Sequence, residues 1–179
     1  MHRLVVAAAL LLGACAGDSV DDRPLELDYL TQAVFAPSCG TTQCHSTFVQ
    51  EAGLVFDTPE GTRRSLLDNG LILFDSTKFD PMDPKNADLI IWITQIDPFG
   101  LGIGRMPFDA PIPNKDVLLL EDWIAAGAPG AECNPKANNG AACTQQNGRF
   151  VVAQCTEDFE LDLTNAIPCS GGCVQGVCQ

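Results

Sequence analysis

The chain has 179 residues, of which 23 are acidic and ten are lysine or arginine, so its net charge is -13 at pH 7. Such an excess of negative charge excludes a surface that binds nucleic acid or anionic lipid headgroups through basic residues. Basic proteins and cations are the partners that this charge attracts, although solubility alone also explains it.

The N-terminus predicts an exported, lipid-anchored protein. Arg3 is followed by an apolar run over residues 4–12, which has the length of a signal-peptide core and is too short to span a bilayer. The run ends in Leu-Gly-Ala-Cys, which resembles the lipobox of bacterial lipoproteins. We therefore predict a signal peptide over residues 1–14 and lipidation of Cys15. An ordinary signal peptide with an incidental cysteine is the alternative.

Residues 15–27 are polar and acidic and are predicted to be a tether between the lipid and a first domain, residues 28–130. Without the signal peptide, nine basic residues face 23 acidic ones, and the net charge is -14. The spacing of apolar residues over 29–35 predicts a first helix, which Pro37 ends directly before Cys39.

Three more helices are predicted in this domain, over residues 63–68, 87–96 and 115–126. The second of them is rich in β-branched residues, so a β-strand is its alternative. A glycine-punctuated loop over residues 99–107 separates the last two helices and is able to approach a flat ligand closely. The last helix has its apolar residues on two adjoining stripes: Val117, Leu120 and Ile124, then Leu119 and Trp123.

Cys39, Cys44 and His45 form a C-x4-C-H run. Covalent haem attachment uses two cysteines that bond the porphyrin vinyl groups and an adjacent histidine that binds the iron. His45 is also the sole histidine once residues 1–14 are removed. The usual run is C-x-x-C-H, with two residues fewer between the cysteines. The two extra residues have to bulge out of the loop. Gly40 permits such a bulge, because glycine adopts unusual backbone angles. The alternative is a disulfide between the two cysteines, and zinc would lack a fourth ligand.

Met106, in the glycine-rich loop, is the candidate for the second axial ligand of the iron, and Met82 is the weaker candidate. Ligation by histidine and methionine raises the reduction potential and leaves no open iron position, which suits electron transfer. A methionine that fills a gap in the core is the alternative. Arg105 is a candidate partner for a haem propionate, with a surface ion pair as its alternative.

Four segments, residues 35–46, 83–90, 104–107 and 122–129, resemble the planctomycete-type cytochrome c domain family in order and spacing. The resemblance covers residues 28 to about 130. It implies a mainly α fold, with a small helical domain of the class I cytochrome c type. It also implies that Cys39 and Cys44 form the thioethers, that His45 is the proximal iron ligand and that Met106 is the distal one.

Residues 131–179 are predicted to be a disulfide-rich module with little regular structure. Their large apolar side chains are too few for a core, and residues 149–153 are the one strand-like run. The module is interpreted either as a binding or spacer unit or as a stable cap. Six cysteines in an exported chain indicate three disulfides whose pairing stays open: Cys133, Cys143, Cys155, Cys169, Cys173 and Cys178.

Together these features predict a monohaem c-type cytochrome-like electron carrier with haem c as its iron cofactor. We expect it in the cell envelope of a Gram-negative bacterium, on the periplasmic face or the outer-membrane surface, bound to the membrane through its lipid alone. Its partner would be a redox protein, of basic charge. An enzyme is not expected, because a lone histidine leaves no nucleophile with a separate base. The alternative is a haem-less surface lipoprotein of the same scaffold that acts as a binding or structural module.

Overall fold

The structure is a computed structural model that describes residues 21–72 and 83–179. The predicted signal peptide, the lipidation site Cys15 and the methionine Met82 lie outside the described residues. Within the described ranges, none of the helices is both long enough and apolar enough to cross a membrane.

The first part of the chain consists of short helices joined by irregular segments. A continuous helical segment begins with α1, passes through a π-helical turn over Thr31–Phe35 and ends with α2. Single 3-10 turns separate some of the later elements. The α-helices are α1, Leu27–Leu30; α2, Ala36–Ser38; α3, Pro59–Asp68; α4, Asp88–Thr94; and α5, Asn114–Ala125.

Local chemistry explains where these helices begin and end. α3 begins four residues before the predicted start because the Thr58 hydroxyl accepts a hydrogen bond from the Gly61 backbone nitrogen at 3.1 Å. Pro37 does not end the first segment, which continues to Ser38. In a regular helix the ring of Pro37 would clash with the carbonyl of Ala33, four residues earlier. Ala33 lies in the π-helical turn, which is wider than an α-helical turn. The segment after Ala87 is helical and not a strand, and it stops at Thr94 because Gln95 is extended.

The core of the helical part lies where the first segment meets α4 and α5. Trp123 is fully buried, and its ring meets the ring of Phe35 edge-on with centroids 6.4 Å apart. Its indole nitrogen donates a hydrogen bond to the Pro129 carbonyl at 3.1 Å. The predicted apolar stripes of α5 are confirmed, because all five residues are buried: Val117, Leu119, Leu120, Trp123 and Ile124.

The prediction of a mainly α fold is wrong. About 35% of the described residues are helical, and 17% lie in strands of two antiparallel sheets. The structure differs from this prediction in residues 131–179, where we expected little regular structure and the strands are found. β1 to β3 form a three-stranded sheet in chain order, and β4 pairs with β5. The strands are β1, Ala141–Gln146; β2, Arg149–Cys155; β3, Leu161–Pro168; β4, Cys173–Val174; and β5, Val177–Cys178.

Tight turns account for the two hairpins. Asn147 and Gly148 connect β1 to β2 with φ angles of 54° and 74°, the pair of left-handed residues that the twist of a two-residue hairpin requires. Gln175 and Gly176 connect β4 to β5 in the same way, with φ angles of 48° and 75°. The sequence Asn-Gly is a strong hairpin signal, so a strand on each side of residue 147 was open to prediction.

The three predicted disulfides are confirmed, and the structure gives their pairing. Cys133 is bonded to Cys155, Cys143 to Cys173 and Cys169 to Cys178. The first bond ties the chain after α5 to the end of β2, and the second ties β1 to β4. Such links stabilise a module with a small core chiefly because they restrict its unfolded chain.

Arg63 on α3 joins the helical part to the sheet part. Its Nε donates a hydrogen bond to the Gly130 carbonyl at 2.6 Å, and its guanidinium carbon lies 4.5 Å from the centre of the Phe159 ring. A second link runs from the Asn134 side-chain amide to the Asp68 carboxylate at 2.7 Å. The two parts therefore pack against each other in the described chain.

Replacing Arg63 with alanine is expected to lower the free energy of unfolding by about 2 kcal/mol, because the Gly130 carbonyl loses a charge-assisted hydrogen bond and Phe159 loses its cation–π contact. Chemical denaturation of the two proteins measures the difference. Arg64→Ala is the matched control, since Arg64 is the next residue of the helix and is exposed. An equal loss in both variants would contradict the role of Arg63 at this junction.

Candidate haem site

Cys39, Cys44 and His45 lie in the loop that follows α2. The backbone nitrogen of Cys44 donates to the Thr41 carbonyl at 3.0 Å, and that of His45 donates to the Cys39 carbonyl at 3.1 Å. These bonds fold the residues between the two cysteines into a compact turn, so the extra residues of the motif are accommodated. Both thiols are free, and the disulfide considered as the alternative is not formed.

Gly40 is needed for space in this loop, which differs from the role we predicted for it. The φ angle of Gly40 is not positive, so the loop does not require a backbone angle that only glycine favours. A Cβ atom added to Gly40 would lie 2.7 Å from the backbone nitrogen of Asp57 and 2.8 Å from the carbonyl carbon of Phe56. Only glycine therefore lets the loop press against the segment that supports the histidine.

The imidazole of His45 is buried, with 9% of the residue exposed. Its Nδ1 lies 2.8 Å from the carbonyl oxygen of Glu51. Because a carbonyl only accepts hydrogen bonds, Nδ1 carries a proton, and in the neutral imidazole Nε2 is then the nitrogen that binds a metal. The ring of Phe56 packs edge-on against the imidazole, with centroids 5.6 Å apart. These contacts fix both the tautomer and the orientation of the ring.

The carbonyl of Glu51 is itself held by the surrounding backbone. The Glu51 nitrogen donates to the Cys44 carbonyl at 3.2 Å, and the Phe56 nitrogen donates to the His45 carbonyl at 2.6 Å. On either side, Gln50 and Ala52 both have φ angles of 55°, which are unfavourable for residues other than glycine. Strained backbone of this kind persists where the surrounding contacts enforce it, often at functional sites.

The two cysteines differ in environment. Cys39 is buried in the same core as Phe35 and Trp123, whereas Cys44 is half-buried. Burial, together with the nearby thiol of Cys44, raises the pKa of the Cys39 thiol to about 12. Cys39 is therefore protonated at neutral pH and a poor nucleophile in the folded, haem-free protein.

Alkylation is expected to distinguish the two thiols. In the haem-free protein at pH 8, iodoacetamide should modify Cys44 more than about a hundredfold faster than Cys39, because Cys39 is enclosed and its thiolate is scarce. Mass spectrometry of the peptides over time measures both rates. Equal rates in the native protein would contradict the burial of Cys39, and unfolding in urea provides the control in which the rates should converge.

Arg105 and Met106 lie together on the loop after α4. The Met106 nitrogen donates to the Trp92 carbonyl at 3.0 Å, which ties this loop to the helix. The Nε of Arg105 is buried and has no hydrogen-bond partner in the described part of the chain. The salt bridges of that part involve Arg23 and Arg63, so the surface ion pair considered for Arg105 is not formed there. A buried guanidinium nitrogen is costly without an acceptor.

The structure therefore places the predicted site residues in two groups. Cys39, Cys44 and His45 share one loop, and Arg105 and Met106 share another. No hydrogen bond or ring contact joins the two groups among residues 21–72 and 83–179. The axial roles of His45 and Met106 stay predictions.

A site for a bare metal ion is not formed by these side chains. Among the described residues, no three histidine, cysteine, aspartate or glutamate side chains come together around one point. Covalent haem does not need that arrangement, because the cysteine sulfurs bond the edge of the porphyrin and the histidine alone binds the iron.

Glu51, Phe56 and Asp57 support the histidine loop, and the sequence did not single them out. Glu51 contributes a backbone carbonyl, which has no signature in the sequence. Asp57 accepts hydrogen bonds from the Thr47 backbone nitrogen at 2.8 Å and from its hydroxyl at 2.9 Å. Phe56 ends the apolar run Leu-Val-Phe over residues 54–56, and this run was the one sequence signal that could have identified it.

Comparisons with known proteins give no match. No protein-family model matches the sequence, and neither a curated protein nor a solved structure is similar to it. The resemblance to the planctomycete-type cytochrome c domain family stays a prediction.

Proposed function

We propose that this chain binds one haem covalently through Cys39 and Cys44 and serves as an electron carrier, with His45 as an iron ligand. The observation that supports the proposal most is the hydrogen bond of 2.8 Å between His45 Nδ1 and the Glu51 carbonyl, next to two free thiols. That bond leaves Nε2 as the metal-binding nitrogen and holds the ring before any metal arrives.

The residues present fit the requirements of haem in three ways. Two thiols are available for thioether bonds, and one imidazole has its Nδ1 engaged with a carbonyl, which leaves Nε2 as the nitrogen for a metal. The third is the buried Nε of Arg105, which lacks an acceptor among the described residues and suits a propionate carboxylate. When bound, haem supplies a reversible one-electron iron couple.

The chain's own residues would shape that couple. Phe56 and the neighbouring core exclude water from one side of the His45 imidazole. A low-dielectric surrounding and the basicity that the Glu51 carbonyl gives to the imidazole both tune an iron centre. Met106 is proposed as the second axial ligand, which would leave no iron position for a substrate. This arrangement supports a carrier and not an enzyme.

The setting proposed for this carrier is the cell envelope of a Gram-negative bacterium. Lipidation at Cys15 would hold the chain at the membrane, on the periplasmic face or the outer-membrane surface. The three disulfides fit an oxidising compartment outside the cytoplasm. A basic redox protein is the proposed partner, because the chain is strongly acidic.

Potentiometric titration of the haem-loaded protein tests electron transfer and the role of Met106 together. The wild-type protein should show one reversible couple. Met106→Ala should keep its haem but lower the reduction potential by on the order of 0.1 V, because a thioether ligand favours the reduced iron. Met82→Ala is the matched control and should leave the potential unchanged. An unchanged potential in both variants would contradict Met106 as a ligand, and the absence of any reversible couple would contradict the proposed function.

The burial of Cys39 supports a second candidate, a haem-less binding or structural module. A thioether bond requires the sulfur to reach the porphyrin edge, whereas 9% of Cys39 is exposed. Haem attachment then has to precede closure of the core around this cysteine. Protein made in a host with haem-maturation machinery distinguishes the two candidates, since a haem-less module would be purified colourless from that host.

A further inference from the structure

Phe48 projects into solvent three residues after His45. Its side chain is 90% exposed, the largest value among the large apolar residues of the described chain, and the adjacent Val49 is 40% exposed. We refer to these two residues as the apolar tip. Exposure of a whole phenylalanine ring has a hydrophobic cost that a partner surface would remove.

The apolar tip is held on a rigid turn. The Gln50 nitrogen donates to the Ser46 carbonyl at 2.9 Å, and the Val49 nitrogen donates to the Ser46 hydroxyl at 3.3 Å. On the other side, Thr47 is fixed by its two hydrogen bonds to the Asp57 carboxylate. Because the backbone of this turn is already ordered, a partner that binds Phe48 has only the rotamers of its side chain to restrict.

In the stretch of sequence around the apolar tip, every lysine, arginine, aspartate or glutamate position is acidic. Residues 24–62, which include the whole haem motif and the tip, contain no lysine or arginine. Coulomb attraction therefore favours a basic partner at this segment and disfavours an acidic one. The acidic residues of the segment are Glu26, Asp28, Glu51, Asp57 and Glu60.

We propose that Phe48 and Val49 form the docking site for a redox partner whose surface has an apolar hollow ringed by lysines or arginines. The proposal rests on the proposed function, because the tip follows the proposed iron ligand His45 by three residues in the same loop. Aromatic anchors surrounded by a polar rim dominate the binding energy of protein interfaces. Electron-transfer complexes are small and transient, so one aromatic anchor is a large share of such a contact.

The test uses the haem-loaded full chain and two electron acceptors. One is a soluble c-type cytochrome whose haem edge is ringed by lysines, and the other is a small cationic cobalt complex. In stopped-flow mixing at low ionic strength, Phe48→Ala should lower the second-order rate with the protein acceptor about tenfold and leave the rate with the complex unchanged. Ile167→Ala is the control, because Ile167 is 62% exposed on β3, and both of its rates should equal those of the wild type.

Equal rates for Phe48→Ala and the wild type with the protein acceptor would overturn the docking site. A changed haem spectrum in Phe48→Ala would also overturn it, because the ring would then contact haem and not a partner. Binding of the wild type, but not Phe48→Ala, to zwitterionic lipid vesicles would overturn it in favour of a membrane contact. If the chain carries no haem, the proposed function fails, but the docking site is still tested by calorimetric titration with the same lysine-ringed cytochrome. Weaker binding of Phe48→Ala than of the wild type would support the docking site, and equal binding would overturn it.

Discussion

Replacing His45 with alanine is expected to abolish the low-spin haem spectrum of the protein. His45 is the sole histidine after residue 14, so no second imidazole is available to take its place on the iron. Its ring is already oriented by the Glu51 carbonyl and the Phe56 ring, and no side chain in the loop supplies an equivalent ligand. Absorption spectra of the oxidised and reduced proteins measure the effect.

Gln43→Ala is the matched control for this experiment. Gln43 lies in the same loop, between the two cysteines, and its side chain is exposed. We expect this variant to keep the spectrum of the wild type. A low-spin spectrum that persists in His45→Ala would contradict the assignment of His45 as an iron ligand.

Replacing Trp123 with alanine is expected to lower the free energy of unfolding by about 3–5 kcal/mol, the range for large aromatic residues in protein cores. Trp123 is fully buried, packs edge-on against Phe35 and donates a hydrogen bond to the Pro129 carbonyl. Its loss would leave a cavity at the crossing of the first helical segment and α5. A loss of this size is a large part of the total stability of a small protein.

Urea denaturation followed by circular dichroism measures the effect of Trp123→Ala. Leu118→Ala is the control, because Leu118 lies on the same helix and is 48% exposed. We expect less than about 1 kcal/mol for Leu118→Ala, since an exposed side chain makes few contacts to lose. Similar losses in the two variants would contradict the position of Trp123 at the centre of the core.

The helices were largely predictable because their apolar residues recur with helical period. α5 was expected over residues 115–126 and is found at Asn114–Ala125, with both of its predicted stripes buried. The sheet was not predicted, because β1 contains no large apolar residue and the apolar–polar alternation of β3 is limited to its first four residues. The Asn147-Gly148 hairpin signal between β1 and β2 was overlooked, and the pairing of the disulfides that hold the module together is not revealed by a sequence.

The side chains of the candidate site were predictable, whereas their support was not. Cysteine and histidine are rare residues with distinctive chemistry, so the C-x4-C-H run was visible at once. The Glu51 carbonyl that orients His45 is a backbone group and has no sequence signature. Gly40 was noticed for its backbone freedom, but the structure shows that a side chain there would collide with Phe56 and Asp57. Such close approaches depend on segments that are distant in sequence.

Covalent attachment of haem through Cys39 and Cys44 is tested most directly by mass spectrometry of the denatured protein. The protein should be produced in a host that attaches c-type haem. We predict that the peptide containing both cysteines carries the mass of one haem and keeps its visible absorbance after denaturation. A peptide with its unmodified mass, or with the mass of a Cys39–Cys44 disulfide, would contradict haem attachment and the electron-carrier function with it.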